Sequence, residues 1–161
     1  YQKSLQIRKK LQDHNHPDLG LCYTAIGGIH IKKKNFDEAL KNFEHHLRIL
    51  LKHFDEDHYD VARCFRNIGK IYEEKNQMNA ALEFYIKARE SLAKQYPEEF
   101  PLLMEVNKSL ARVYYLQQKY PEAVTYLEKN YAALLKTRGA DDPIAVSIKQ
   151  AIDEIKKMIK H

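Results

Sequence analysis

The side chains best placed to do chemistry in this chain are polar and cationic groups at helical spacing. Arg63, Arg66, Asn67 and Lys70 recur at i, i+3, i+4 and i+7, so on an α-helix all four share one face. Lys108 and Arg112 continue that stripe on a later helix, and Tyr115 and Leu116 add apolar surface at its end. Guanidinium and ammonium groups beside an amide can hold carboxylates through charge-assisted hydrogen bonds. The chemistry is capture rather than bond-breaking. The same residues also suit a solvated face neutralised by Glu73, Glu74 and Glu105, and the sequence leaves both readings open.

Reactive constellations are harder to assemble. The chain has no Gly-rich phosphate loop, no nucleophile motif and no His-Glu-x-x-His, and the acidic pairs Asp37-Glu38, Glu73-Glu74 and Glu98-Glu99 fall at turns or helix ends. Neither a catalytic residue nor a cofactor is therefore expected. His14 and His16 beside Asp13 and Asp18, or His45, His46 and His53 on one helix, are the candidates for a metal. His58 shares the column of His16, however, which marks a repeat-entry residue, and no compact set reaches zinc-site spacing, so no metal is expected. His30 stands where other repeats have Tyr72 and Tyr114, and a satisfied interior histidine is expected there.

The elements that position these groups repeat every 42 residues. At that shift the small residues Gly27, Gly69 and Ala111 align in one helix and Ala39, Ala81 and Ala123 in the next. The columns Cys22/Cys64/Val106, Ile26/Ile68/Leu110 and Ile29/Ile71/Val113 are apolar throughout. One helix-turn-helix per period is the pattern of a solenoid, whose units bury their apolar faces against their neighbours. The fold class expected is all-α, an α-solenoid.

Three full units are expected at 20–61, 62–103 and 104–145. Residues 1–19 supply the second helix of a truncated unit and its loop, so the chain is expected to be a fragment that starts inside a repeat. Residues 146–161 form a capping helix, with Asp153 in the small-residue column and Lys156, Lys157 and Lys160 solvating its face, and this cap is expected to be the natural end of the chain. Pro17, Pro101 and Pro143 suit first helical positions, where a missing N–H costs nothing. Phe36, Met78 and Tyr120 share a column and should plug the turns. Cys22 and Cys64 occupy one packing column of adjacent units. Helices stacked about 8–10 Å apart cannot bring their Cα atoms within the ~7 Å of a disulfide, so both are expected as free thiols.

A net charge of +5, from 27 basic and 22 acidic residues spread along the chain, points to a partner with acidic patches. Most of the 11 tyrosines fall in packing columns instead of interleaving with the basic residues, which argues against nucleic acid. No run is long and apolar enough to span a membrane and no leader precedes the first helix, so the cytosol is the default compartment.

The small-residue columns, Tyr72 and Tyr114, and Phe43 and Tyr85 resemble the tetratricopeptide repeat, normally about 34 residues long. The 42-residue period, Leu5-Gln6-Ile7-Arg8 and His16-Pro17-Asp18 resemble the variant found in kinesin light chains. That resemblance implies a right-handed superhelix whose first helices line a concave groove for an extended peptide or a partner helix. Where kinesin light chains carry paired Asn in the groove, this chain has Thr24-Ala25, Arg66-Asn67 and Lys108-Ser109, so Asn67 is the one Asn in common. Thr24, Gly28 and Ile31 make the first groove segment neutral.

The function expected is a non-enzymatic protein-interaction scaffold that binds an acidic peptide or segment through Arg63, Arg66, Asn67, Lys70, Lys108, Arg112 and Tyr115. The competing expectation is a structural or oligomerisation array attached to an upstream effector, such as an ADP-ribosyltransferase domain.

Overall fold

The computed structural model describes residues 17–159, which form seven α-helices. They are α1 (Pro17–Lys32), α2 (Phe36–His53), α3 (Tyr59–Glu74), α4 (Met78–Ala93), α5 (Pro101–Leu116), α6 (Tyr120–Arg138) and α7 (Pro143–Ile159). No strand occurs among the described residues. Helices pair as the period predicts, and Pro17, Pro101 and Pro143 each open a helix. The truncated unit expected at 1–19 lies almost wholly outside the described residues, as do His14 and His16. Two compact units divide the chain, Tyr1–Ser91 and Leu92–His161.

The three turns between paired helices close identically. Lys34, Asn76 and Gln118, one per repeat, take left-handed φ values of 59°, 58° and 60°. The next amides, of Asn35, Gln77 and Lys119, then donate back to the carbonyls of His30, Tyr72 and Tyr114 at 2.9 Å each. This is a Schellman-type closure, normally given to Gly because a Cβ disfavours positive φ. Beside two of these turns, rings stack across the helix pair: Tyr72 on Phe84 at 5.4 Å and Tyr114 on Tyr126 at 5.7 Å.

In the first unit, α1 and α2 approach at glycine. A Cβ on Gly27 would stand 2.7 Å from the Phe43 ring, and one on Gly69 would stand 2.8 Å from Tyr85, so each glycine makes room for an aromatic floor. Tyr85 further donates to Glu73 at 2.8 Å. The outer edge is pinned by Lys75 to Asp37 at 2.7 Å. Cys22 and Cys64 are buried and free, as expected. Burial pushes the Cys64 thiol up to about 12, which keeps it protonated and unreactive at neutral pH.

Two expectations for this unit need correction. Ile29 is 42% exposed, whereas Ile71 and Val113 in the same column are fully buried. His30 is half-buried and its Nδ1 is enclosed without a hydrogen-bond partner, so it is not the satisfied interior histidine of the column argument. That role belongs to His46, 4% exposed, whose Nδ1 shares a 2.7 Å hydrogen bond with Thr24 Oγ1.

In the second unit, α5 and α6 are joined by a buried amide pair, Asn107 and Asn130, and α6 and α7 by a cluster of Val124, Ile152 and Ile155. Tyr120, Leu127, Tyr131 and Ile148 pack against that cluster. Asp153 is exposed and paired with Lys149 at 3.2 Å, and Lys156 reaches Glu128 at 2.7 Å, so the face of α7 in the small-residue column is charged.

Candidate binding site

Of the seven residues expected to bind, four lie on α3 in the first unit and three on α5 in the second. On α3, Arg63 is already engaged: Nη2 meets Asp60 Oδ1 at 2.7 Å and the guanidinium lies 5.6 Å from the centre of the Tyr59 ring. Arg66 Nη1 donates to Asn67 Oδ1 at 3.4 Å, a long bond between neighbours, and both are half-buried. Lys70 is exposed. Thr24, expected to line a neutral groove segment, turns to His46 instead.

On α5 the three residues come together around a cavity. Lys108, Arg112 and Tyr115, with Ala111 between them, form one wall; Ala151, Glu154, Ile155 and Met158 of α7 form the other; Leu127 of α6 lies between. The cavity measures about 300 Å³, the lower end of the range for ligand pockets. Both walls are i, i+3, i+4, i+7 stripes, so two helices present matching ridges to one space. Apolar surface from Ala111, Leu127, Ala151, Ile155 and Met158 dominates the interior, and the charges of Lys108, Arg112 and Glu154 stand at exposed positions.

The cavity has a local cause. Leu127 occupies the column of Phe43 and Tyr85, the rings that cover Gly27 and Gly69. In the third repeat the small residue is Ala111, but the ring has become a shorter branched chain. At the floor of the cavity the third repeat therefore carries less side-chain volume in this column than the other two.

Sequence reasoning found one wall and missed the other. It gave α7 only a capping role, although Ala151, Glu154, Ile155 and Met158 already showed the helical stripe. Leu116, expected to share the pocket with Tyr115, is 55% exposed and does not line it, because it falls one residue past the inward face. Among the described residues, no group of three or more His, Cys, Asp and Glu is placed to hold a metal. No described helix is long and apolar enough to cross a membrane.

Comparison with known proteins fixes the family. Tetratricopeptide repeat models match residues 1–52, 23–94 and 109–144, well over half of the chain. The chain belongs to the tetratricopeptide repeat family. Among solved structures, this tetratricopeptide array is similar to kinesin-light-chain TPR-like repeats from Podosopora anserina, with TM-score 0.81 and 19% identity over 99% of this chain and 82% of that one. BtubC from P. vanneervenii gives TM-score 0.78 at 18% identity, covering 99% and 72%. The N-terminal domain of stress-induced protein-1 from C. elegans gives 0.64 at 16%, covering 87% and 96%. At these identities the likeness is one of fold, and the fold is the kinesin-light-chain-like form of the tetratricopeptide solenoid. A search of curated protein sequences finds no significant match.

Proposed function

We propose that this tetratricopeptide array is a non-enzymatic scaffold that captures an extended, acidic segment of another protein. The observation that carries the proposal is the cavity between α5 and α7, where Lys108, Arg112 and Tyr115 surround apolar space of about 300 Å³. An apolar side chain of the partner enters above Leu127, and a neighbouring carboxylate pairs with Lys108 or Arg112 through charge-assisted bonds. Family membership supports an interaction role, because solenoids of this kind present extended binding surfaces. In the first unit, Arg66, Asn67 and Lys70 on α3 offer carboxylates a separate polar stripe of their own. Arg63, held by Asp60, contributes least.

The test is selection of a random peptide library on the whole chain and on its Lys108→Glu/Arg112→Glu variant. Wild type is expected to enrich acidic sequences with one large apolar residue, and the variant to lose them. Identical enrichment by both proteins would overturn the proposal.

A further inference from the structure

The position of Arg112 within the repeat reads Gly28, Lys70, Arg112 and Glu154 from one first helix to the next. The charge reverses at the last step, and that step faces the cavity. Lys108 and Arg112 stand on the α5 wall while Glu154 stands on the α7 wall, so the mouth carries opposite charges on opposite sides.

Glu154 is not consumed by its own helix. The carboxylates beside it are: Asp153 pairs with Lys149, and Glu128 of α6 with Lys156. The side chains of Glu154 and Lys108 each make no hydrogen bond or ion pair among the described residues. An acidic ligand with no base would leave Glu154 facing added negative charge across a narrow apolar space, where like charges repel.

We infer that Glu154 is a specificity-determining residue, and that the partner segment carries a basic residue on one side of its apolar anchor and an acidic residue on the other. This rests on the peptide-capture reading above and deepens it. The acid lies against α5, the anchor sits over Leu127, and the base meets Glu154. Such a rim also orients the bound chain, because reversing the segment sets acid against acid and base against base.

Synthetic peptides test this on the whole chain by fluorescence anisotropy at low ionic strength, where exposed pairs are least screened. Each carries a central Phe, an Asp on one flank, and either Lys or acetyl-lysine on the other, in both sequence orders. In one order, Lys is expected to bind about threefold more tightly than acetyl-lysine, the size of an exposed ion pair. Glu154→Lys should remove or reverse that preference and leave helix content unchanged, since the residue is exposed and unpaired. If Lys and acetyl-lysine peptides bind equally well to wild type, or Glu154→Lys keeps the preference, the bipolar rim is overturned while peptide capture stands. If no peptide binds, the capture reading falls and takes this inference with it.

Discussion

Asn107 Nδ2 donates to Asn130 Oδ1 at 3.0 Å, while Asn130 Nδ2 donates to the Met104 carbonyl at 2.8 Å, and both amides are buried. Glu98 accepts from Asn107 at 3.2 Å, so a polar chain runs from a loop through α5 into α6. Interior amides are tolerated because each is bonded, and removing one partner exposes the cost of the other. Asn130→Ala is expected to destabilise the second unit by about 2 kcal/mol, since the buried Asn107 then loses its interior acceptor, keeping only Glu98, and the Met104 carbonyl loses its side-chain donor. Urea unfolding measures it. A change under about 0.5 kcal/mol, the level of an ordinary surface substitution, would show that the amides are dispensable.

The column that faces Asn130 in the repeat pattern explains a second interior polar group. The column 46/88/130 reads His46, Ala88 and Asn130, and the facing column 20/62/104 reads Gly20, Ala62 and Met104. A Cβ at Gly20 would lie 2.5 Å from His46 Nε2, so glycine is what lets an imidazole into the first helix pair. Burial lowers the His46 pKa to about 4, the positive charge of Arg63 acts in the same direction, and Asp60 opposes them. The unfolded chain therefore binds more protons, and stability falls as pH falls. The contribution of His46 is complete above its ordinary pKa of about 6.5 and disappears by about 4, a loss of roughly 3 kcal/mol. Comparing denaturant midpoints over that range with those of His46→Gln checks it. The wild type should lose stability more steeply than the variant, and parallel curves would refute the assignment.

The turns offer a gain rather than a loss. Gln118 and Lys34 hold left-handed backbone with a Cβ present, which costs each about 1 kcal/mol relative to a conformation that suits an L-residue. Gln118→Gly and Lys34→Gly are each expected to raise stability by about 0.5–1 kcal/mol after the entropy of glycine is counted. Asn76→Gly should gain less, because Asn tolerates this region better. Thermal denaturation ranks the three. Loss of stability at Gln118 would mean that its side chain matters more than its backbone.

How much was legible in the sequence differs between fold and site. The period, the helix pairs and the small-residue columns could be read directly, because repeat geometry forces the same residue class to recur wherever helices approach. Within the small-residue and aromatic columns a residue's class was legible, but a shortfall in volume was not. Leu127 counts as apolar in any pattern, and only beside Phe43 and Tyr85 does its size become a cavity. Glu154 was likewise invisible as a wall residue, since an exposed Glu on a terminal helix reads as solvation until a facing helix is seen. Arg63 shows the reverse case, a cation on the expected stripe that its own helix engages through Asp60 and Tyr59.

The shorter side chain of Leu127 at the cavity floor can be tested directly. A ring at the floor, introduced by Leu127→Phe, should take up part of the cavity. Because Ala111 carries a Cβ where the other repeats have glycine, the new ring must lean outward into the cavity rather than onto α5. Stability is expected to change by less than about 1.5 kcal/mol, the usual range when an apolar swap has room to repack. Binding of apolar-anchored acidic peptides should fall by at least about tenfold, as the anchor loses the burial of a side chain worth about 1.5–3 kcal/mol. Anisotropy titrations beside denaturant melts separate the two effects. A stable Leu127→Phe protein that still binds at wild-type affinity would show that peptides dock elsewhere on the array.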